Sequence, residues 1–346
     1  MFYNGFELYN VDALLPHPDG GCRLSRVPAD VRVAMSEQGQ RMACNTAGCE
    51  FRFVLRSGSA KITLRMDTPG AHTTAILYFG GVQSGWQTLS YTIGYEPTTI
   101  TLENHPNPAM LRKISDAAGY AYDPCVLRLT FDSAQLILMD AQGDVRPPEP
   151  SEVPEKRFLM YGSSITHGSL ACSANLTYLA QIGTRLDADF YSFGFAGSCL
   201  LEREVADYIA EQGSERNLRT WDFAILELGI NALGLPAEEF AARVDYLLDT
   251  MLRKNPGKKL FVIDIFYHSG DFSGDAKTAA FREIVRKACE KRACAYPQLY
   301  HIDGRTLLSG PRGLSGDFVH PNVTGVREIA DNLTRVLTEN KCFERV

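Results

Sequence analysis

The first part of the chain, residues 1 to about 140, alternates apolar and polar positions with a period of two. In "AKITLRM", Ile62 and Leu64 would face one side of a strand, and Thr63 and Arg65 the other. The same rhythm recurs in "EFRFVLRSG", "HTTAILYFGG", "WQTLSYTIG", "TTITLEN", "CVLRLTFDS" and "AQLILMD". Many short strands separated by Gly, Pro, Asp or Ser predict an all-β sandwich of jelly-roll type. One short helix is expected within "PAMLRKISDAAG".

From Arg157 onward the pattern changes to alternating strands and helices. Apolar strands are predicted in "RFLMYG", "DFYSFGF", "WDFAILELG", "KKLFVIDIF" and "LYHIDG". Helical spacing of apolar residues occupies the intervals and the closing "HPNVTGVREIADNLTRVLTEN". Such alternation predicts an α/β domain of three layers, with a parallel sheet between helices. Five strands in flavodoxin-like order is the topology we expect.

These two rhythms predict two domains, in keeping with a length of 346 residues. We assign residues 1–140 to a β-sandwich accessory domain and residues 157–346 to a catalytic domain. Between them, "AQGDVRPPEPSEVPEK" at residues 141–156 contains four prolines and charges of both signs. That composition is typical of a linker or strap between domains.

Composition and charge exclude several classes of protein. Apolar residues make up 45%, charged residues 22%, and the net charge is -6 without a basic run, so neither nucleic acid nor anionic membrane is an expected partner. We find no signal-peptide pattern at the N-terminus and no apolar stretch of membrane-spanning length. The nine cysteines are odd in number and include no C-x-x-C, which favours reduced thiols and a cytoplasmic location. No Cys/His set has the usual spacing of zinc ligands.

Candidate chemistry follows the predicted strands. Gly162-Ser163-Ser164 comes after the first strand, "GFAGSC" after the second, "LELGINAL" spans the end of the third, and "GDFVHPN" precedes the last helix. The carboxyl ends of parallel strands share one edge of a sheet, where open α/β sheets place their active sites. Acyl transfer requires a hydroxyl nucleophile, a base, an acid that orients the base, and donors for the oxyanion.

These four segments resemble, in order, the consensus blocks of the SGNH (GDSL-type) hydrolase superfamily. "GSSIT" is similar to the first block and implies that Ser164 is the nucleophile. "GFAGS" and "GIN" are similar to the second and third blocks. They imply an oxyanion hole formed by Gly197, Asn231 and the backbone N–H of Ser164. "DFVH" is similar to the last block and implies that Asp317 is the acid and His320 the base.

The chain departs from the family pattern at two positions. Ser163 stands where the first block has Asp, and Ala232 stands where an Asp often follows the Asn of the third block. Neither lost residue performs the chemistry in the family, so the resemblance implies that the reaction survives both changes. Hydrogen bonding around the nucleophile turn, and with it the substrate, is expected to differ from that of close relatives. The β-rich first half resembles the N-terminal sandwich of certain carbohydrate acetyl esterases and of an acyltransferase of antibiotic biosynthesis.

Each candidate residue also has a purely structural interpretation. Ser164 could be a helix N-cap and Asn231 a turn residue. Gly197 could serve loop geometry, and His320 could simply open the last helix before a proline. Among the other histidines, His167 and His268 fall near the same sheet edge. The occurrence of four blocks in order favours the catalytic interpretation.

The sequence therefore predicts a serine esterase that removes a short acyl group, such as acetyl, from a carbohydrate or small metabolite. The chemistry needs no metal or organic cofactor. Two alternatives stay open: an acyltransferase with the same residues, and a catalytically inert carbohydrate-binding protein. The oligomeric state is left open. We expect the β domain to pack on the catalytic domain and to form a wall of the substrate cleft, with Trp86, Tyr91 and Tyr95 as candidate sugar-facing rings.

Overall fold

The computed structural model describes residues 1–86, 90–212 and 220–342. It contains an antiparallel sheet in residues 1–146, the front region, and a parallel sheet in residues 157–342, the rear region. This order of a β-rich part before an α/β part confirms the predicted fold class. Residues 87–89 of the predicted strand "WQTLSYTIG" lie outside the described residues.

The front region is built from eleven strands of the described chain, which pair antiparallel. They are β1 (Phe2–Tyr3), β2 (Phe6–Tyr9), β3 (Ala13–Pro16), β4 (Cys22–Ser25), β5 (Glu50–Met66), β6 (Thr73–Phe79), β7 (Val82–Gln83), β8 (Tyr91–Ile93), β9 (Thr98–Leu102), β10 (Val126–Phe131) and β11 (Leu136–Arg146). Residues 50–54 of β5 pair with β10, whereas residues 60–64 pair with β9. Alternate side chains from both parts of β5, such as Phe53 and Ile62, belong to one apolar core. A core enclosed in this way is the arrangement expected of a sandwich.

Three helices accompany this sheet: α1 (Ala29–Ala34), α2 (Glu37–Ala43) and α3 (Pro108–Ala118). Helix α3 was predicted and is confirmed, with Asn107 as its N-cap and Gly119 in a left-handed conformation at its end. Helices α1 and α2 were not predicted, because each is too short to show a helical period. Val31 in α1 and Met35 at its C-terminal end belong to an apolar core of the rear region, so the two regions share a core at this point.

The predicted linker overlaps the sheet. Strand β11 continues to Arg146, and a short 3-10 turn follows at Pro150–Glu152. The guanidinium of Arg146 binds the carboxylate of Glu152 through two hydrogen bonds of 2.6 and 2.7 Å. Residues 141–146 are therefore strand and not linker, and the division of the chain into domains at 140 and 157 stays a prediction.

The rear region contains a five-stranded parallel sheet within the described residues. Its strands are β12 (Arg157–Gly162), β13 (Asp189–Gly194), β14 (Phe223–Glu227), β15 (Lys259–Ile263) and β16 (Leu299–Ile302). Their order, β13-β12-β14-β15-β16, is the flavodoxin-like order that was predicted. Its helices are α4 (Ser164–His167), α5 (Tyr178–Leu186), α6 (Arg203–Gln212), α7 (Ala237–Lys254), α8 (Ser269–Ser273), α9 (Ala276–Ala293) and α10 (Val323–Glu339). None of the described helices is both long and apolar enough to cross a membrane.

The sheet separates two apolar cores because successive side chains of a strand point to opposite faces. In β12, Leu159 and Tyr161 enter the core that contains α6, α7 and α9. Phe158 and Met160 enter the core that contains α5 and α10. Burial on both faces explains why the predicted strands are nearly continuous apolar runs.

Buried polar groups join the front and rear regions. The Arg52 guanidinium donates to both carboxylate oxygens of Asp189, at 2.8 and 2.9 Å, and both side chains are buried. The guanidinium of Arg26 donates to the backbone carbonyls of Ser192 and Gly194, at 2.8 Å each. Strand β13 is thus bonded to the front region along its length, so the front region packs on the parallel sheet as expected.

Candidate active site

The nucleophile candidate, Ser164, stands directly after the first strand of the parallel sheet. Strand β12 ends at Gly162, and the Ser163 hydroxyl accepts a hydrogen bond from the N–H of Ile165 at 3.2 Å, which makes Ser163 the N-cap of helix α4. Ser164 is therefore the first residue of the helix and not its cap. Gly162 permits this turn, because a Cβ at that position would collide with the Thr166 hydroxyl.

A chain of hydrogen bonds connects the three triad candidates. His320 Nδ1 lies 2.7 Å from Asp317 Oδ2, and His320 Nε2 lies 2.7 Å from Ser164 Oγ. An ionised carboxylate only accepts, so the ring proton belongs on Nδ1, and Nε2 accepts from the Ser164 hydroxyl. The structure therefore brings together the hydroxyl, the imidazole and the carboxylate in the order that nucleophilic catalysis requires.

The turn that contains Asp317 keeps its carboxyl group ionised. Oδ1 accepts from the Ser315 hydroxyl at 2.8 Å and from the backbone N–H groups of Val319 and His320 at 3.0 and 2.9 Å. Partial burial by itself would raise the pKa of Asp317. The bonds from the backbone N–H groups, His320 and Ser315 outweigh it and hold the pKa well below its usual range.

The predicted oxyanion residues lie on two adjoining loops. Gly197 follows β13 with a positive φ of 68°, and Asn231 lies in the 3-10 turn Ile230–Gly234 after β14. The backbone N–H of Cys199 donates to Asn231 Oδ1 at 3.1 Å, which connects the loops and leaves the amide NH2 as donor. In the described part of the chain, no hydrogen bond is recorded from this NH2 or from the N–H groups of Ser164 and Gly197. The role of these donors in an oxyanion hole stays a prediction.

His167, which sequence analysis had noted only as a nearby histidine, ends the helix that Ser164 begins. Its Nδ1–H donates to the carbonyl of Gly194 at 2.7 Å, and its Nε2 accepts from the hydroxyl of Ser133 in the front region. Burial, and then the positive charge of Arg26, lowers the pKa of His167 to about 3. His167 is therefore a neutral group that connects helix α4 to the front region. His268, the other noted histidine, instead caps helix α8.

Glu227, the last residue of β14, was not among the predicted site residues. Its carboxyl group lies beneath the nucleophile turn, where Oε2 accepts from the N–H of Ser163 at 2.6 Å. The available signal was the acidic residue Glu227 near the end of the apolar run "FAILEL". That signal shows burial of a carboxyl group, but it does not show what the group contacts.

A cavity of about 1210 Å³ lies between the front and rear regions. Its lining includes Tyr78, Tyr120 and Tyr122 from the front region, and Thr166, His167, Ser315 and Asn322 from the rear region. Among the described residues, Ser164 and His320 are not part of the lining, although their near neighbours in the chain are. Trp86, Tyr91 and Tyr95 do not line it either, and their role as sugar-facing rings stays a prediction.

Comparison with known proteins identifies the class. Residues 160–327 match the GDSL-like Lipase/Acylhydrolase family. The chain thus carries a GDSL-type, or SGNH, hydrolase domain, and the protein is an enzyme of the esterase class. No curated protein sequence matches the chain.

Solved structures share the whole architecture. A salicylyl-acyltransferase from a tetracycline biosynthetic pathway aligns with a TM-score of 0.71 at 16% identity, over 97% of this chain and 95% of its own. A family two carbohydrate esterase from Cellvibrio japonicus aligns with a TM-score of 0.60 at 12% identity, over 97% and 95%. An acetyl xylan esterase from Butyrivibrio proteoclasticus aligns with a TM-score of 0.57 at 11% identity, over 98% and 97%. These structures share the fold in which a β-rich part precedes the hydrolase domain.

Proposed function

We propose that this protein is a serine esterase that hydrolyses short acyl esters, such as acetyl esters, of a carbohydrate or small metabolite. The observation that supports the proposal is the unbroken series of hydrogen bonds from Asp317 through His320 to Ser164, with each bond to the imidazole at 2.7 Å. A hydroxyl held against an oriented imidazole is the arrangement that acyl transfer through a serine requires.

The reaction follows from this arrangement. His320 Nε2 takes the proton of the Ser164 hydroxyl as Oγ attacks the ester carbonyl, and the backbone N–H groups of Ser164 and Gly197 with the Asn231 amide stabilise the oxyanion. The carbon–oxygen bond to the alcohol then breaks, and His320 donates its proton to that alcohol. Water then attacks the acyl-enzyme while His320 takes one of its protons. The bond between the acyl carbon and Ser164 Oγ breaks, His320 returns the proton to Oγ, and the free acid leaves. Asp317 stabilises the imidazolium that forms twice in the cycle.

The cavity between the two regions supports a bulky, polar alcohol as leaving group. Tyr78 and Tyr120 supply flat amphipathic rings of the kind that suits sugar faces, whereas Tyr122 is buried and its ring is covered by the Arg128 guanidinium. The front region would then form a wall of the substrate cleft. The two esterase structures named above are described as acting on carbohydrate and acetyl xylan, which agrees with this choice of substrate.

An acyltransferase is the second candidate function. A cavity of about 1210 Å³ exceeds the volume of most small-molecule sites and has room for an acceptor alcohol beside the acyl donor. The salicylyl-acyltransferase shares the whole architecture of this chain. In that reaction the acceptor hydroxyl replaces water, and Ser164, His320 and Asp317 keep their roles.

One assay distinguishes these functions. The purified protein is given nitrophenyl esters of two to eight carbons and a panel of acetylated oligosaccharides, with and without a glycerol or sugar acceptor. An esterase releases free acid at the same rate in both conditions and is fastest with the shortest acyl group. A transferase forms a new ester in the presence of the acceptor. Turnover of none of these esters would contradict both candidates and favour an inert binding protein.

Replacing Asp317 with asparagine is expected to lower kcat by a factor on the order of 10² to 10⁴. Oδ1 already accepts three donors, so the asparagine oxygen will occupy that position and its NH2 will face His320 Nδ1. The imidazole must then carry its proton on Nε2, where it no longer accepts from Ser164. Steady-state kinetics test this expectation, with Asp116→Asn on the exposed face of α3 as the control. An Asp317→Asn enzyme of normal kcat would remove this residue from the mechanism.

A further inference from the structure

The carboxyl group of Glu227 is held directly beneath the turn that presents Ser164. Glu227 is 1% exposed, and its Oε2 accepts from the backbone N–H of Ser163 at 2.6 Å and from the Thr166 hydroxyl at 3.0 Å. One oxygen atom therefore bridges the residue before Ser164 and the residue two positions after it. We propose that Glu227 is a positioning residue that fixes the nucleophile turn, an inference that rests on the proposed function of Ser164.

Neighbouring side chains and backbone pack closely around the Glu227 carboxyl group. Thr166 Oγ1 also forms a hydrogen bond of 2.6 Å with the hydroxyl of Tyr178, the first residue of helix α5. This second bond fixes the Thr166 hydroxyl that contacts Glu227. At Gly162 an added Cβ would lie 2.6 Å from Glu227 Oε2, which leaves no room for another side chain. The bridge thus joins the end of β14 to the N-cap and first turn of helix α4.

This bridge supplies an anchor at a position where the family pattern is broken. The hydroxyl of Ser163, which replaces the Asp of the first block, is engaged by the N–H of Ile165. The backbone N–H of Ser163 is engaged by Glu227 instead. That bond holds the peptide units on which the Ser164 hydroxyl and its N–H donor depend. A misplacement of about 1 Å in a reacting group can reduce the rate by a factor on the order of 10².

Glu227 is uncharged over part of the physiological pH range. Burial raises its pKa to about 7, although the bonds from Ser163 and Thr166 act in the opposite direction. Its Oε1 is buried and has no hydrogen-bond partner within the described residues, which also favours the protonated form. The neighbouring titratable groups, Tyr178 and Cys199, stay neutral because burial raises the pKa of each well above its usual value.

The test compares three substitutions in the full-length enzyme. Glu227→Gln keeps an acceptor for the N–H of Ser163, and its kcat is expected to stay within a few-fold of the original. Glu227→Met fills the same space without an acceptor, and Glu227→Ala removes both. Both are expected to lower kcat by a factor on the order of 10 to 10², with KM nearly unchanged, because the turn moves while the binding cavity does not.

A matched control separates positioning from stability. Ile225→Ala, in the same strand and fully buried, creates a cavity without removing a hydrogen bond of the nucleophile turn. It is expected to lower the unfolding midpoint while leaving kcat near normal. A folded Glu227→Met enzyme with normal kcat would overturn the inference, as would a Glu227→Gln enzyme as slow as the methionine variant. Full activity of Ser164→Ala would instead overturn the proposed function, so the two failures are distinguishable.

The stability of the protein gives a second readout that does not depend on activity. The pKa of Glu227 is raised from 4.5 in the unfolded chain to about 7 in the fold, so its stabilising contribution is complete below about pH 4.5. The contribution decreases as the pH rises from about 4.5 to about 7. Above about pH 7 the Glu227 carboxyl group causes no further change in stability with pH. We compare the urea midpoint of unfolding of the unsubstituted protein with that of Glu227→Gln. The first minus the second is expected to decrease between about pH 4.5 and about pH 7. A difference independent of pH would show that the carboxyl group does not titrate there.

Discussion

Replacing Ser164 with alanine is expected to lower ester hydrolysis by a factor on the order of 10³ or more, while the protein keeps its fold. The Ser164 hydroxyl is the only atom of the residue that contacts His320 in the hydrogen-bond series, and alanine removes that atom alone. Without it no acyl-enzyme forms, and only the weaker effects of substrate binding and the oxyanion donors remain.

Ser163→Ala is the matched control for this experiment. It removes the hydroxyl next in the chain, which caps helix α4 through the N–H of Ile165 and, among the described residues, makes no hydrogen bond to His320. Loss of such a cap costs about 1 kcal/mol of stability, so the variant should retain most of its activity. Initial rates on a nitrophenyl acetate, together with thermal unfolding curves, test both variants. An active Ser164→Ala beside an inactive Ser163→Ala would show that the nucleophile is the other serine.

Replacing Asp189 with alanine is expected to lower the free energy of unfolding by roughly 3 to 5 kcal/mol. The Asp189 carboxylate accepts both guanidinium bonds of Arg52 and a bond from the Tyr122 hydroxyl, and it is 1% exposed. Its removal leaves the Arg52 guanidinium buried with one remaining carboxylate, that of Glu50, which Arg128 also uses. A buried charge that has lost its partner costs far more than the intact pair contributes.

Urea unfolding measures this effect against an exposed ion pair of the same kind. Asp331 binds Arg185 at 2.6 Å, but its side chain is 53% exposed, so Asp331→Ala is expected to cost no more than about 1 kcal/mol. The double variant Arg52→Met with Asp189→Leu removes both charges and should recover part of the loss. A change below 1 kcal/mol in Asp189→Ala would contradict the view that this pair is desolvated.

The parallel sheet and its order could be predicted because strands that are buried on both faces are nearly continuous apolar runs in the sequence. Strand β14 is apolar from Phe223 to Leu226 and ends at Glu227, and the loop that follows it carries the third family block. The hydrogen bonds among Ser164, Asp317 and His320 agree with the expectation drawn from those blocks. Their catalytic roles and the oxyanion donors remain predictions for the experiments above.

Other features were hidden for physical reasons. Strand β11 was cut short at residue 140 because register shifts after Leu138 and Gln142 break its period of two, and Gly143 adopts a φ of 154°. Helices α1 and α2 have too few turns to produce a periodic signal. The contact of Glu227 with Ser163 joins residues 64 positions apart, through a backbone N–H that every non-proline residue carries. No pattern of side chains reports a contact of that kind.

The bond from His167 to Ser133 has a consequence for how this enzyme could evolve or be engineered. Helix α4 begins with Ser164, the proposed nucleophile, and ends with His167, whose ring bonds Ser133 in a loop of the front region. The position of the helix therefore depends on both regions. Grafting a foreign β sandwich onto this hydrolase domain would have to reproduce that loop to within hydrogen-bond distance. We therefore expect a variant with an exchanged front region to keep its activity only where this bond is reproduced.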